Sequence, residues 1–149
     1  MTREEAALRY FTDGANCAQA VVLAFKDEIG MDEKTAARLA SSFGGGIGRL
    51  REVCGAVSGM MMVYGLLKGY DDLKDPEAKK AHYANVQALA NRFREENGSI
   101  ICRELLALHE NEQNDPVPTP RDAKFYHARP CMGFVACAAR LLDEKLKEE

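Results

Sequence analysis

The spacing of helix start and stop signals constrains this chain more than any other feature. Asn16, Asp32, Asp75 and Ser99 each precede a stretch with helical periodicity, and Gly30, Gly69 and Gly98 stand where such stretches end. No run alternates β-branched and polar residues for long enough to suggest a strand. The expectation is an all-α protein, a single-domain bundle of six or seven helices over residues 1–149.

The helices follow from those signals. The first spans Arg3 to Phe11 and is broken by Thr12, Asp13 and Gly14. Asn16 caps a second, Cys17 to Glu28, with Val21, Val22, Phe25 and Ile29 at helical spacing. Asp32 caps a third, Glu33 to Ser42, which runs into FGGGIGR at residues 43–49. A fourth starts near Val53 and ends with Lys68 before Gly69. Pro76 in a first turn opens a long fifth that closes at Asn97-Gly98, with Tyr83, Val86, Ala90 and Phe93 as its buried face. Ser99 caps a sixth, Ile100 to about Leu108. Residues 109–128 carry three prolines and read as a long loop. Pro130 then opens a last helix that passes through Ala139 and Leu142 towards Lys147.

Composition narrows the function classes. With 46% apolar residues, 29% charged residues and a net charge of −3, the chain reads as globular, with no basic stripe for nucleic acid. The N-terminus MTREEAALRYF is charged and amphipathic, unlike a secretory signal. The apolar windows 18–25 and 57–67 are shorter than the ~20 residues a bilayer span needs. The expectation is a cytoplasmic protein without a membrane span, in which thiols are more commonly catalytic, metal-binding or buried than disulfide-bonded. The base rate for homo-oligomers adds a homodimer to the expectation.

Two glycine patterns bear on the site. GGGIG is followed by no GK[ST] and comes after a helical stretch, so a phosphate loop is excluded in favour of a sharp turn with close backbone approach. Gly55, Ala56 and Gly59 give the fourth helix a flat face for another backbone, which offsets a helix-propensity loss of ~1 kcal/mol per glycine. Met60 to Met62 read as core filler rather than copper ligands.

Four of the five cysteines fall in the first turn of an expected helix: Cys17, Cys54, Cys102 and Cys131. First turns carry unsatisfied N–H groups and the positive end of the helix dipole, both of which favour a thiolate. Arg49, Arg51 and Arg103 lie near Cys54 and Cys102 in sequence and add to that effect. Cys137, inside FVACAA, reads as a buried core thiol. His109 and His127 border the loop and read as solvent-facing before they read as ligands.

VCGAVSG, together with NCAQAVVLAF, FGGGIGR, NGSIICRELL and a cysteine ahead of the Ala-rich final helix, resembles the C_GCAxxG_C_C family along almost the whole chain. The family's four characteristic cysteines map onto Cys17, Cys54, Cys102 and Cys131. The resemblance implies a small helical protein with a thiol redox role.

The leading expectation is a thiol-based redox protein whose Cys54 attacks and whose Cys17, Cys102 or Cys131 resolves, serving a redox partner or small molecule. The alternative is a binding protein in which the same four cysteines hold zinc or an iron–sulfur cluster. A third reading is a structural or partner-binding helical domain with inert thiols.

Overall fold

The computed structural model describes residues 1–107, 115–128 and 130–149, with 127 and 128 described by backbone only. His109 and most of the first half of the expected loop lie outside the described residues, as does the side chain of His127. The described residues form α1 (Arg3–Thr12), α2 (Cys17–Ala24), α3 (Glu33–Ala40), α4 (Gly55–Lys68), α5 (Pro76–Asn97), α6 (Cys102–Leu105), α7 (Ala123–Ala128) and α8 (Cys131–Glu148). The fold is all-α, and six of these helices have eight residues or more. Among the described residues no helix is long and apolar enough to cross a membrane.

The capping chemistry explains where the helices begin. Asn16 accepts from the Gln19 N–H while the Gln19 side chain accepts from the Asn16 N–H, a reciprocal box that starts α2 at Cys17. Asp75 accepts from the N–H groups of Glu77 and Ala78 ahead of Pro76, and Gly98 ends α5 at φ 93°. Three boundaries differ from expectation. α2 ends at Ala24, with turns rather than helix through Gly30. α6 is a single turn that starts late, because Ser99 accepts from the Ile101 N–H and donates to Glu104, and Ile101 is extended. α7 lies inside the stretch expected to be loop. Asp122 accepts from the Phe125 N–H there, so the cap that starts α7 was present in the sequence.

α2 is the central helix and touches α1, α3, α4 and α8. Six of its eight residues are buried, which is why its sequence CAQAVVLA is nearly all apolar. One continuous apolar cluster unites α1, α2, α4, α5 and α8, with Phe11, Phe25, Tyr64, Phe93 and Met60 among its largest members. On α5 the buried positions are Leu89 and Phe93; Tyr83, expected inside, is 52% exposed and stands edge-on to Tyr70. The wet side of α5 meets α8 through ion pairs of Arg92 with Glu144 and Arg140 with Glu96.

The interface of α2 with α4 depends on two glycines. A Cβ added at Gly59 would sit 2.7 Å from the Ala18 carbonyl oxygen, and one at Gly55 would sit 2.8 Å from the Phe43 oxygen and 3.1 Å from the Ala18 nitrogen. The flat face read from the sequence is therefore pressed against the backbone of α2 at Ala18, the residue after Cys17.

Candidate functional site: a cavity lined by four cysteines

Three backbone devices place the cysteine side chains. The first is the glycine face of α4. The Cβ of Cys17 lies 3.3 Å from the position a Gly55 Cβ would occupy, so α2 delivers Cys17 directly over the start of α4. The second is a short antiparallel bridge between Val53 and Ile101. The Cys54 N–H donates to the Ile100 oxygen at 2.8 Å, and the Cys102 N–H donates to the Glu52 oxygen at 2.6 Å. Cys54 and Cys102 thus sit diagonally across one face of this bridge. Cys54 is the N-cap of α4 rather than a first-turn residue, because the bridge keeps residues 51–53 out of the helix.

The third device is the loop between α3 and α4, which carries a run of left-handed backbone. Gly45, Gly46 and Gly48 have φ near 65°, 70° and 52°, and Ile47, Arg49 and Arg51 adopt 69°, 68° and 64°. Each non-glycine residue held there costs on the order of 1–3 kcal/mol, so the surroundings must enforce it. They do so through long-range turn bonds: the Arg51 N–H donates to the Gly45 oxygen and the Glu52 N–H to the Gly46 oxygen. Glycine is required at position 46 on two counts. Its φ is positive, and a Cβ there would sit 2.7 Å from the Glu52 nitrogen and 2.8 Å from the Cys102 Cβ. The outcome is that Arg51, only 3% exposed, donates from Nη1 to the Cys102 sulfur at 3.8 Å. A guanidinium against a sulfur offers a thiolate an attractive, fixed partner.

Cys17, Cys54, Cys102 and Cys131 all line one small cavity of about 30 Å³, together with Arg51, Gly46 and Phe134. That space suits one or two water molecules. None of the five cysteines is in a disulfide. Cys131, at the first residue of α8, is within hydrogen-bonding reach of Cys17. The Cys17 thiol is held well above its ordinary range, first by its hydrogen bond to Cys131 and then by burial. Cys17 therefore keeps its proton near neutral pH. Burial pushes the Cys54 thiol up to about 12, against the opposing pull of the Val57 and Ala56 N–H groups at the start of α4. The helix-terminus effect read from the sequence is present at Cys54, but desolvation outweighs it.

Cys137 stands apart. It is buried between α8 and α5, where Asn97 donates to its sulfur at 3.4 Å and Arg140 at 3.7 Å. Among the described residues no group of three or more His, Cys, Asp or Glu side chains is arranged to hold a metal ion.

Cys17 and Cys131 also face a second, larger cavity of about 340 Å³, which adjoins the first and shares Gly45 and Arg51 with it. Its outer wall is Pro116, Pro118 and Phe125, from the stretch read as loop. Arg121 holds that wall in place. Its guanidinium donates to the carbonyl oxygens of Phe11 and Ala15 at 3.1 Å and lies 4.4 Å over the Phe11 ring. The Phe11 carbonyl belongs to the last turn of α1, where a cation is favoured. Sequence reasoning passed over Arg121 and Phe125; the available signal was an aromatic pair, Phe125-Tyr126, behind a capping Asp122.

The family model described as "Putative redox-active protein (C_GCAxxG_C_C)" matches residues 15–145. No curated protein and no solved structure matches the chain.

Proposed function

The chain belongs to the C_GCAxxG_C_C family of redox-active proteins, and from that premise and the cysteine geometry we propose that it carries out thiol–disulfide exchange through Cys17 and Cys131. The supporting observation is the hydrogen-bonded pair itself: two thiols in reach of one another, facing a cavity large enough for a small molecule. Cys131 is the attacking sulfur. It sits at the first residue of an 18-residue helix and faces the larger cavity, whereas the Cys17 thiol is held well above its ordinary range by its hydrogen bond to Cys131 and by burial. The attack passes from Cys54, favoured on sequence, to Cys131. Cys54 is 4% exposed, and a thiol pushed up to about 12 supplies little thiolate near neutral pH.

The electron count is simple. The Cys131 thiolate attacks one sulfur of a substrate disulfide, forms a mixed disulfide and expels the first substrate thiolate. Cys17 loses its proton, attacks the Cys131 sulfur and expels the second. The protein ends with a Cys17–Cys131 bridge, and the substrate has gained two electrons and two protons. Cys54 and Cys102, behind the pair in the inner cavity, can take over the bridge by intramolecular exchange with no net change in oxidation state.

Intact-mass measurement of protein purified without oxygen or chelator, before and after mild oxidation, tests this reading. The expected result is a metal-free mass that loses two hydrogens, with the bridge mapped to Cys17 and Cys131 and absent in Cys131→Ser. Stoichiometric zinc or iron–sulfur mass, lost on mutating any of the four cysteines, would overturn it in favour of metal binding. Thiols that resist both oxidation and alkylation in the native state would reduce it to a structural role.

A further inference from the structure

The stretch that walls the larger cavity is stiff by its covalent chemistry. From Asp115 to Pro120 the sequence reads DPVPTP, in which every residue is a proline or precedes one. Proline fixes its own φ at about −65° and pushes the residue before it out of the helical region, so this segment has little freedom to collapse or swing. It is pinned on two sides of the cavity. Arg49, from the loop between α3 and α4, donates to the Asp115 oxygen at 2.8 Å and to Thr119 Oγ1 at 2.9 Å. Arg121 donates to the Phe11 and Ala15 oxygens on the α1 side, and its guanidinium also lies 4.9 Å from the centre of the Phe125 ring. Val117, between the two prolines of the wall, is 67% exposed, so the segment is a strap at the surface and not part of the core. Behind it lie the half-buried Cys17 and Cys131.

We propose that this strap restricts exchange at Cys17 and Cys131 to low-molecular-weight disulfides and keeps out the disulfides of folded proteins, with Arg121 holding it against α1. The inference rests on the thiol reading and names its substrate class. A mixed disulfide forms only when the Cys131 sulfur and a substrate sulfur come to bonding distance, so the substrate disulfide has to enter the cavity. The volume of about 340 Å³ lies at the lower end of the range of small-molecule sites. A small disulfide enters whole, takes up two electrons and two protons, and leaves as two thiols when the Cys17–Cys131 bridge closes. A disulfide on a folded surface carries main chain on both sides, and that chain meets Pro116, Pro118 and Phe125 before the sulfurs meet. Such a disulfide reacts only with molecules whose strap has opened.

The test compares disulfides that differ mainly in bulk: hydroxyethyl disulfide, an end-blocked neutral cystine, and the disulfide-linked dimer of a ubiquitin variant with one surface cysteine. The rate of Cys17–Cys131 bridge formation is measured for reduced full-length protein, and each rate is divided by that of the same probe with a neutral dithiol in solution. After that correction both small probes are expected to outpace the ubiquitin dimer roughly tenfold or more, because the dimer waits on strap opening. The ratio should fall towards unity in Arg121→Gln, which removes the hold on α1, and should partly survive in Arg121→Lys. The double variant Pro116→Gly/Pro118→Gly loosens the strap without touching its anchors and should lower the ratio as well. Using a ratio separates lost size selection from a general loss of folded protein. Equal corrected rates for all three probes in the wild type, or a ratio unmoved in both strap variants, would overturn the inference and leave the thiol reading standing. If no probe oxidises the native protein while the unfolded chain reacts, the thiol reading fails, and this inference with it.

Discussion

Two glycines of one helix should respond to the same substitution with opposite signs. In Gly59→Ala the new methyl carbon would lie 2.7 Å from the Ala18 carbonyl oxygen and 3.2 Å from the Val21 Cβ. Backbone oxygen cannot swing aside, so α2 has to retreat from α4 by roughly 0.5 Å or more, a gap that forfeits a quarter to a half of the dispersion energy of each contact it opens. Overpacking of this kind costs about 1–3 kcal/mol, against a helix-propensity gain of ~1 kcal/mol. The net expectation is a loss of up to about 2 kcal/mol, or up to roughly 8 °C in Tm for a domain of this size. At Gly65 a Cβ meets nothing within 4 Å, so Gly65→Ala keeps the propensity gain and should stabilise by roughly 0.5–1 kcal/mol. Urea unfolding followed by circular dichroism measures both, with equal m-values required for the comparison. Because Ala18 adjoins Cys17, Gly59→Ala should also slow closure of the Cys17–Cys131 bridge. Stability changes of the same sign at both positions would refute the argument that backbone contact, rather than helix propensity, governs this face.

Alkaline pH should expose the buried thiol. The Cys54 pKa rises from 9.0 to about 12 on folding, so between those values the unfolded chain has lost a proton that the folded chain retains. Its contribution to stability is therefore complete below pH 9.0 and is lost as pH climbs towards 12. Unfolding curves of the wild type and Cys54→Ala over that window should converge on this slope difference, and identical slopes would contradict the burial argument. In the glycine loop, Gly46→Ala is expected to cost roughly 2 kcal/mol or more. It combines a positive φ of 70° with contacts of 2.7 Å to the Glu52 nitrogen and 2.8 Å to the Cys102 Cβ. Faster alkylation of Cys102 in that variant would show its sulfur displaced from Arg51; unchanged alkylation and stability would argue against the enforced left-handed turn.

Helix identity was local chemistry and therefore legible. Asn16, Asp32 and the Asp75-Pro76 pair satisfy N–H groups within three residues of themselves, and Gly98 takes up a left-handed φ that needs no distant partner. The glycine face of α4 could be read for the same reason: Gly55 and Gly59 share a side of the helix by periodicity alone. The short α6 and the missed α7 went the other way. The bridge that shortens α6 joins segments almost fifty residues apart in sequence, and α7 combines a local Asp122 cap with a tertiary wall anchored by Arg121 on α1.

Sequence by itself determined that the chain is helical, where most helices begin and end, and which cysteines stand at helix starts. Only the tertiary structure decided that Cys17, Cys54, Cys102 and Cys131 line one cavity and that Cys17 lies within hydrogen-bonding reach of Cys131. It also decided that burial outweighs the helix terminus at Cys54 and that three arginines face the larger cavity. The division has a physical cause. Caps and periodicity act over one or two turns and are written in neighbouring residues. Desolvation and the convergence of charges depend on which distant surfaces close together, and that is settled by how α2 and α4 pack and by the bridge between residues 53 and 101.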